Sequence, residues 1–215
     1  FAKTYRGKLA EHAAAAGGGD ALATAIVAYE ALEDRMGRIA SYAGLLFATS
    51  STVPEHARFY GDMQTALTEL NSELLFFGLE LNGLNDKDIE QLAASSPAFA
   101  HYLPWVNDLR LHREHDLSTE SEQLMQDKSL TGRSAWTRLF DETMARMRFD
   151  FEGETVSLEQ VLDKLSDPDR ALRQKAVEAL TKRFQTDQPL FTHITNTLSK
   201  DLELDGKWRG YAGVA

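Results

Sequence analysis

The chain has 215 residues, enough for one large domain or two small ones with a substantial core. Its 23 lysines and arginines stand against 33 aspartates and glutamates, a formal charge of −10, which argues against a general DNA or RNA binder that must neutralise phosphates. No cysteine is present, so a disulfide framework, a thiol nucleophile and a thiolate metal site are excluded together. The longest apolar runs, such as Ala43 to Ala48, fall far short of the ~18 residues a membrane span needs, and no signal-peptide pattern opens the chain. The expectation is a soluble protein of a reducing cytoplasm. A first residue that is Phe1, and last residues Tyr211 to Ala215 without a recognisable stop, point to a piece of something longer.

In chain order, an alanine-rich stretch, Ala13 to Ala16, runs into Gly17-Gly18-Gly19, which reads as a flexible turn between helices. As a phosphate cradle it is weak, because no strand leads into it and no Lys-Ser or Lys-Thr follows. Leu22, Ile26, Tyr29, Leu32, Met36, Ile39, Ala43 and Leu46 then recur in steps of three or four, the spacing of one helix face. Tyr60, Met63, Leu67, Leu70, Leu74, Phe77 and Leu81 alternate steps of three and four, close to the seam of a coiled coil. Between the two runs, Thr52 with Glu55 makes a capping box, and Pro54 suits a first helical turn, where an N–H would have no partner. The two segments should fold as an antiparallel hairpin, each burying its stripe on the other.

Past Gly83, the capping candidates Asn85, Thr119, Ser157 and Asp167 mark four further helix starts. Met147 to Val156 departs from the helical pattern. Met147, Phe149 and Phe151 alternate with polar residues, and Glu152-Gly153 supplies a two-residue turn that sets Phe149 opposite Val156. After Pro168 a stripe of Leu172, Ala176, Leu180 and Phe184 continues to Phe191, Ile194 and Leu198, with Pro189 expected to kink or restart the helix. The fold class expected is mainly α: a helical hairpin and a helical lobe with one small β-hairpin.

Candidates for chemistry are few. Of the six histidines, only His112 and His115 are close in sequence, three apart on an expected helix, with Asp108, Glu114 and Asp116 as nearby oxygen donors. The zinc-peptidase pattern needs His-Glu-x-x-His, which Leu111-His112-Arg113-Glu114-His115 is not, and Arg113 would repel a cation. The two histidines read better as polar residues on a helix face than as ligands. Glu120 and Glu122 fall in a first turn, where the helix dipole favours carboxylates. Ser134 in Gly132-Arg133-Ser134-Ala135 lacks the glycine bracket of a nucleophile elbow and reads as a new helix cap. Trp105, Trp136 and Trp208 are too dispersed for a stacking platform and read as core or lobe-interface residues. No catalytic, cofactor-binding or metal-binding residue is assigned within the chain.

From His101 onward the order of motifs resembles the N-terminal part of oligoendopeptidase F, a zinc oligopeptidase of the family that includes thimet oligopeptidase. His115-Asp116-Leu117-Ser118-Thr119-Glu120-Ser121-Glu122-Gln123-Leu124 is similar to that family's His-x-Leu-Ser-x-x-x-Glu-x-Leu segment. Ala135-Trp136-Thr137-Arg138-Leu139 resembles the tryptophan helix that follows, and the hairpin from Phe149 to Val156 sits where the family has one. Next come Leu165-Ser166-Asp167-Pro168-Asp169-Arg170, Arg173-Gln174-Lys175-Ala176, then Asn196, Lys200 and Arg209-Gly210-Tyr211, similar to the element that leads into the family's catalytic domain.

The resemblance implies three parts: an N-terminal helical region at 1–109, an oligopeptidase lobe at 110–182, and the opening of a truncated metallopeptidase domain at 183–215. It implies a cytoplasmic zinc endopeptidase that cleaves short peptides in a channel, with zinc held by a His-Glu-x-x-His helix downstream of Tyr211. This segment would be a wall of that channel and inactive alone. Oligopeptides are the expected partners, nucleic acid and membrane are not, and copies could associate through apolar surface around Phe191, Ile194, Leu198 and Trp208 exposed by truncation. The competing reading is a non-catalytic helical interaction module that offers the Leu22 to Leu81 hairpin to a partner helix.

Overall fold

The computed structural model describes residues 1–49 and 53–213. Two short helices, α1 (Ala2–Tyr5) and α2 (Leu9–Ala14), precede the long pair α3 (Gly18–Thr49) and α4 (Pro54–Asn82). Then follow α5 (Asp86–Ser95), α6 (Pro97–Arg110), a 3-10 turn at Arg113–His115, α7 (Thr119–Lys128) and α8 (Arg133–Arg146). Strands β1 (Phe149–Phe151) and β2 (Glu154–Val156), α9 (Leu158–Asp163) and α10 (Arg170–Trp208) complete the chain. It is mainly α with one small antiparallel hairpin, as expected. Among the described residues no helix is long and apolar enough to cross a membrane.

Two separate cores form. The first gathers the outer helices around the base of the α3–α4 hairpin, with Leu9, Leu22, Ile26, Phe77, Leu81, Phe99 and Val106 fully enclosed. The hairpin stripes bury only in part, since Ile39 and Leu70 stay 44% and 49% exposed. Towards the tip α3 packs mainly on α4, with Phe47 stacked on Tyr60 at 4.8 Å, so one face remains open to solvent. The expected Thr52 capping box lies outside the described residues, while Pro54 does open α4.

The glycine run corrects an expectation. Only Gly17 is a turn residue, at φ +74°, while Gly18 and Gly19 are buried in the first turn of α3. A Cβ on Gly19 would stand 2.5 Å from Ser96 Cβ and 2.9 Å from the Leu92 carbonyl oxygen. These glycines permit close helix packing and are not a flexible linker. Ser96 caps α6 by accepting the Phe99 N–H at 3.1 Å and donates to Asp20. Ser96-Pro97, a cap followed by proline at the first helical position, is the sequence signature of this helix start.

Several caps also shift. Asn85 precedes α5 but its amide donates to Asp88 and makes no capping bond. Ser118, not Thr119, caps α7. Asp169, not Asp167, caps α10 by accepting from Ala171 N at 2.8 Å, while Asp167 accepts from Asp169 N. Ser134 lies inside α8, whose flanking residue is Gly132. Ser157 caps α9 in a full box with Gln160.

The second core is the one that the β-hairpin lays on α10. Phe149 pairs with Val156 and Phe151 with Glu154, the register set by Glu152-Gly153 at φ 53° and 91°. Met147, Phe149, Val161, Ala176 and Leu180 are enclosed there. Pro189 does not restart the helix; α10 runs through it. Ala176 and Ile194 are buried on either side, five turns apart at ~3.6 residues each and so on one face, and this packing carries the helix across the missing N–H. The division expected at 182/183 therefore falls within one helix. Ile194 is buried and Phe191 packs on Phe140 and Phe184, so the expected exposed patch reduces mainly to Trp208, which is 72% exposed and lies outside both cores.

Candidate functional site at the end of the last helix

A polar constellation that joins residues 87 to 99 positions apart lies where α10 ends. Gly210, at φ +74°, follows the helix, and two bonds close the end: Gly210 N to the Lys207 carbonyl at 3.2 Å and Tyr211 N to the Gly206 carbonyl at 2.9 Å. This is the Schellman arrangement, which glycine makes accessible without steric cost. It turns the chain back so that the Tyr211 ring stacks on His115, centroids 3.7 Å apart.

Arg209 is the hub. Its Nη1 and Nη2 donate to both oxygens of Glu122 at 2.6 and 2.9 Å, and its Nε donates to Asp205 at 3.0 Å. The Arg209 carbonyl lies 2.8 Å from Nδ1 of His115, placing that imidazole nitrogen as the donor. Glu122 also accepts the Leu117 N–H at 3.0 Å, completing the entry to α7. The side chains of Glu122 and Arg209 are only 11% and 23% exposed. The Arg209 bonds, helped by the Leu117 N–H, hold the Glu122 carboxyl below the usual glutamate range against the opposing effect of burial. The same pairing raises the Arg209 guanidinium.

The paired acids thus divide. Glu120 remains a first-turn carboxylate, while Glu122 anchors a residue 87 positions away, which local spacing could not reveal. The signal available in the sequence was the Arg209-Gly210-Tyr211 order, with glycine just past a helical stripe.

His112 and His115 are not on one helix face. α6 stops at Arg110, and the 3-10 turn that follows carries His115 into the Tyr211 stack, with the Tyr211 hydroxyl 3.4 Å from Nδ1 of His112. Of the oxygen donors expected nearby, Glu114 lies 3.5 Å from Nε2 of His115. Asp116 accepts from Asn82 at 2.7 Å, and Arg113 forms a two-point pair with Asp86. Among the described residues no group of three or more His, Asp or Glu side chains is placed to hold a metal ion. Arg110, 7% exposed, donates to the carbonyls of Leu81 and Leu84 and to Asp86, sealing the end of α4 beneath this turn.

Beside Arg209, a cavity of about 590 Å³ opens between α7, α8 and the last turns of α10. Lys128 and Arg133 line one wall, Asp201 another, and Met125, Leu198 and Leu202 contribute apolar surface. A second cavity of about 720 Å³ lies between the Gly17–Gly19 turn and α5, where Asp88 and Asn85 are bonded to each other.

The family model described as Oligopeptidase F matches residues 80–149, which include the His115–Leu124 and Ala135–Leu139 segments and bear out the resemblance read from the motifs. The crystal structure of oligoendopeptidase-F from Enterococcus faecium matches 98% of this chain and 42% of its own, at 21% identity and a TM-score of 0.84. A protein from Chlamydophila abortus described as a candidate peptidase matches 90% of this chain and 33% of its own, at 16% identity and a TM-score of 0.56. The chain thus spans less than half the length of either structure, and at these identities the likeness establishes the fold. No curated protein sequence matches.

Proposed function

We propose that this chain is the N-terminal lobe, with the opening of the catalytic domain, of a zinc-dependent oligoendopeptidase that cleaves internal bonds of short peptides in the cytoplasm. The observation that carries the reading is the Oligopeptidase F match at residues 80–149 within a fold whose agreement with an oligoendopeptidase-F extends over 98% of the chain. In this reading zinc, held outside the described residues, supplies Lewis acidity and an activated water. The lobe supplies a wall. The two buried cores, joined through the Arg209–Glu122 pair, would give that wall its fixed shape, so that it admits unfolded oligopeptides and excludes folded proteins.

Two measurements test this. Reading the coding sequence past Ala215 should find His-Glu-x-x-His on a helix with a later glutamate helix, and the encoded protein should cleave short peptides far faster than casein. A continuation without those ligands would favour the interaction-module reading, and equal cleavage of casein would remove the size filter. The 215-residue chain alone should retain no stoichiometric zinc after dialysis against a weak chelator. Retained zinc would return His112 and His115 to consideration.

A further inference from the structure

We infer that the cavity between α7, α8 and the end of α10 binds the two charged ends of a short peptide, its carboxylate on Arg133 and Lys128 and its ammonium on Asp201. The choice of a peptide rests on the proposed peptidase reading; the charge pattern does not.

Six charged side chains line this space. Three are already satisfied among themselves, since Arg209 spends its donors on Glu122 and Asp205. Lys128, Arg133 and Asp201 remain, and none has an ion-pair partner among the described residues. The six charges sum to zero, but of the three left without a partner two are positive and one is negative. Lys128 ends α7 and Arg133 opens α8, so the negative end of one helix dipole and the positive end of the other meet there, and the side-chain charges themselves dominate the field. On an open surface two such residues would be ordinary solvated charges. Here they line a concave space together with Asp201 and the apolar Met125, Leu198 and Leu202, and its volume falls in the range of small-ligand sites.

The charges select among ligands. A phosphate would suit the cations but would meet Asp201 and the carboxylates of the Arg209 network. A fatty acid would leave Asp201 unpaired. A short zwitterionic peptide uses both signs and can set an apolar side chain against Met125 and Leu198, with Arg133 able to take a carboxylate in two-point fashion.

The test is an NMR titration of the 215-residue chain with the tripeptide Ala-Ala-Leu, its C-terminal amide and its N-acetyl form. The free tripeptide should give saturable shifts confined to residues 125–133 and 198–205. The amide should bind about tenfold more weakly or worse, as expected when a charge-assisted two-point contact is lost. The double variant K128Q/R133Q should lose binding. D201N should weaken the free tripeptide and leave the acetylated one unchanged. All three substituted side chains are exposed, and an unchanged thermal midpoint verifies folding; were the double variant to unfold, R133Q and the amide comparison decide. Equal binding of acid and amide, wild-type binding by K128Q/R133Q, shifts elsewhere or no saturable shift would each overturn the site. Peptide binding here without a zinc motif in the continuing sequence would keep the site and remove the peptidase reading. Zinc-dependent cleavage with no binding at this cavity would do the reverse.

Discussion

The two cores of this molecule are built on different plans. The one near the N-terminus is helix on helix and rich in aromatic contacts between distant parts of the chain: Tyr29 stacks on Phe77 at 4.6 Å, and Phe1 meets Phe77 edge-on at 5.2 Å. The other is local, since Met147, Phe149, Val161, Ala176 and Leu180 all come from one stretch of 34 positions, 147 to 180. A core made from neighbours in sequence closes small loops at low entropic cost, whereas the first must bring α1 onto α4 across some seventy residues. Between them lie the packing of α7 along α4 and the Arg209–Glu122 clamp, and the buried residues of the two cores form separate clusters.

Separate clusters should open separately. Phe77→Ala and Phe149→Ala each remove a fully buried ring and should cost about 3–5 kcal/mol. Native-state hydrogen exchange should then show Phe77→Ala releasing amides of α3 to α6 while β1 and β2 stay protected, and Phe149→Ala doing the opposite. Global loss of protection from either substitution would show that the molecule unfolds as one unit and that the distinction between the cores is only geometric.

The same contrast explains what the sequence could tell. The β-hairpin was legible to the residue, because alternation and Glu152-Gly153 set the register locally. The long hairpin was legible as two stripes, yet the exposure of Ile39 and Leu70 depends on what packs from outside, which no periodicity encodes. Gly18 and Gly19 looked like a linker because glycine permits both flexibility and close approach; only the position of Ser96 and Leu92 decides between them. Pro189 looked like a break because propensity is local, and tertiary packing at Ala176 and Ile194 outweighs it. The Arg209 site was legible only through the order of its motif, since its partners lie 87 and 94 positions away.

The clamp between the two regions is the next way to sharpen their difference. Glu122→Gln removes the charge from a largely enclosed two-point pair and should cost about 1.5–3 kcal/mol. Because the folded-state pKa of Glu122 is depressed, its contribution is fully present above the unfolded glutamate value and is lost as pH falls through the lower folded value. Wild-type protein should therefore lose stability across that acid window more steeply than Glu122→Gln. Parallel pH profiles for the two proteins would show that the pair positions α10 without stabilising it.

The smallest expected effect separates a cap inside the local core from one beside the clamp. Ser157 caps α9 reciprocally with Gln160, with Ser157 N donating at 2.8 Å, and α9 contributes Val161 to the second core. Ser118 caps α7 by accepting from Ser121 N at 3.3 Å, comparable to the 3.4 Å bond that Ser157 Oγ accepts from Gln160 N, but it has no reciprocal box, and Glu122 secures the preceding Leu117 N–H. Ser157→Ala should thus cost about 1 kcal/mol and Ser118→Ala less, within the ordinary range for caps. The order matters more than either value. If Ser118→Ala proved the costlier, the entry to α7 would depend on its own cap, and the Arg209–Glu122 clamp could not be what holds that helix to α10.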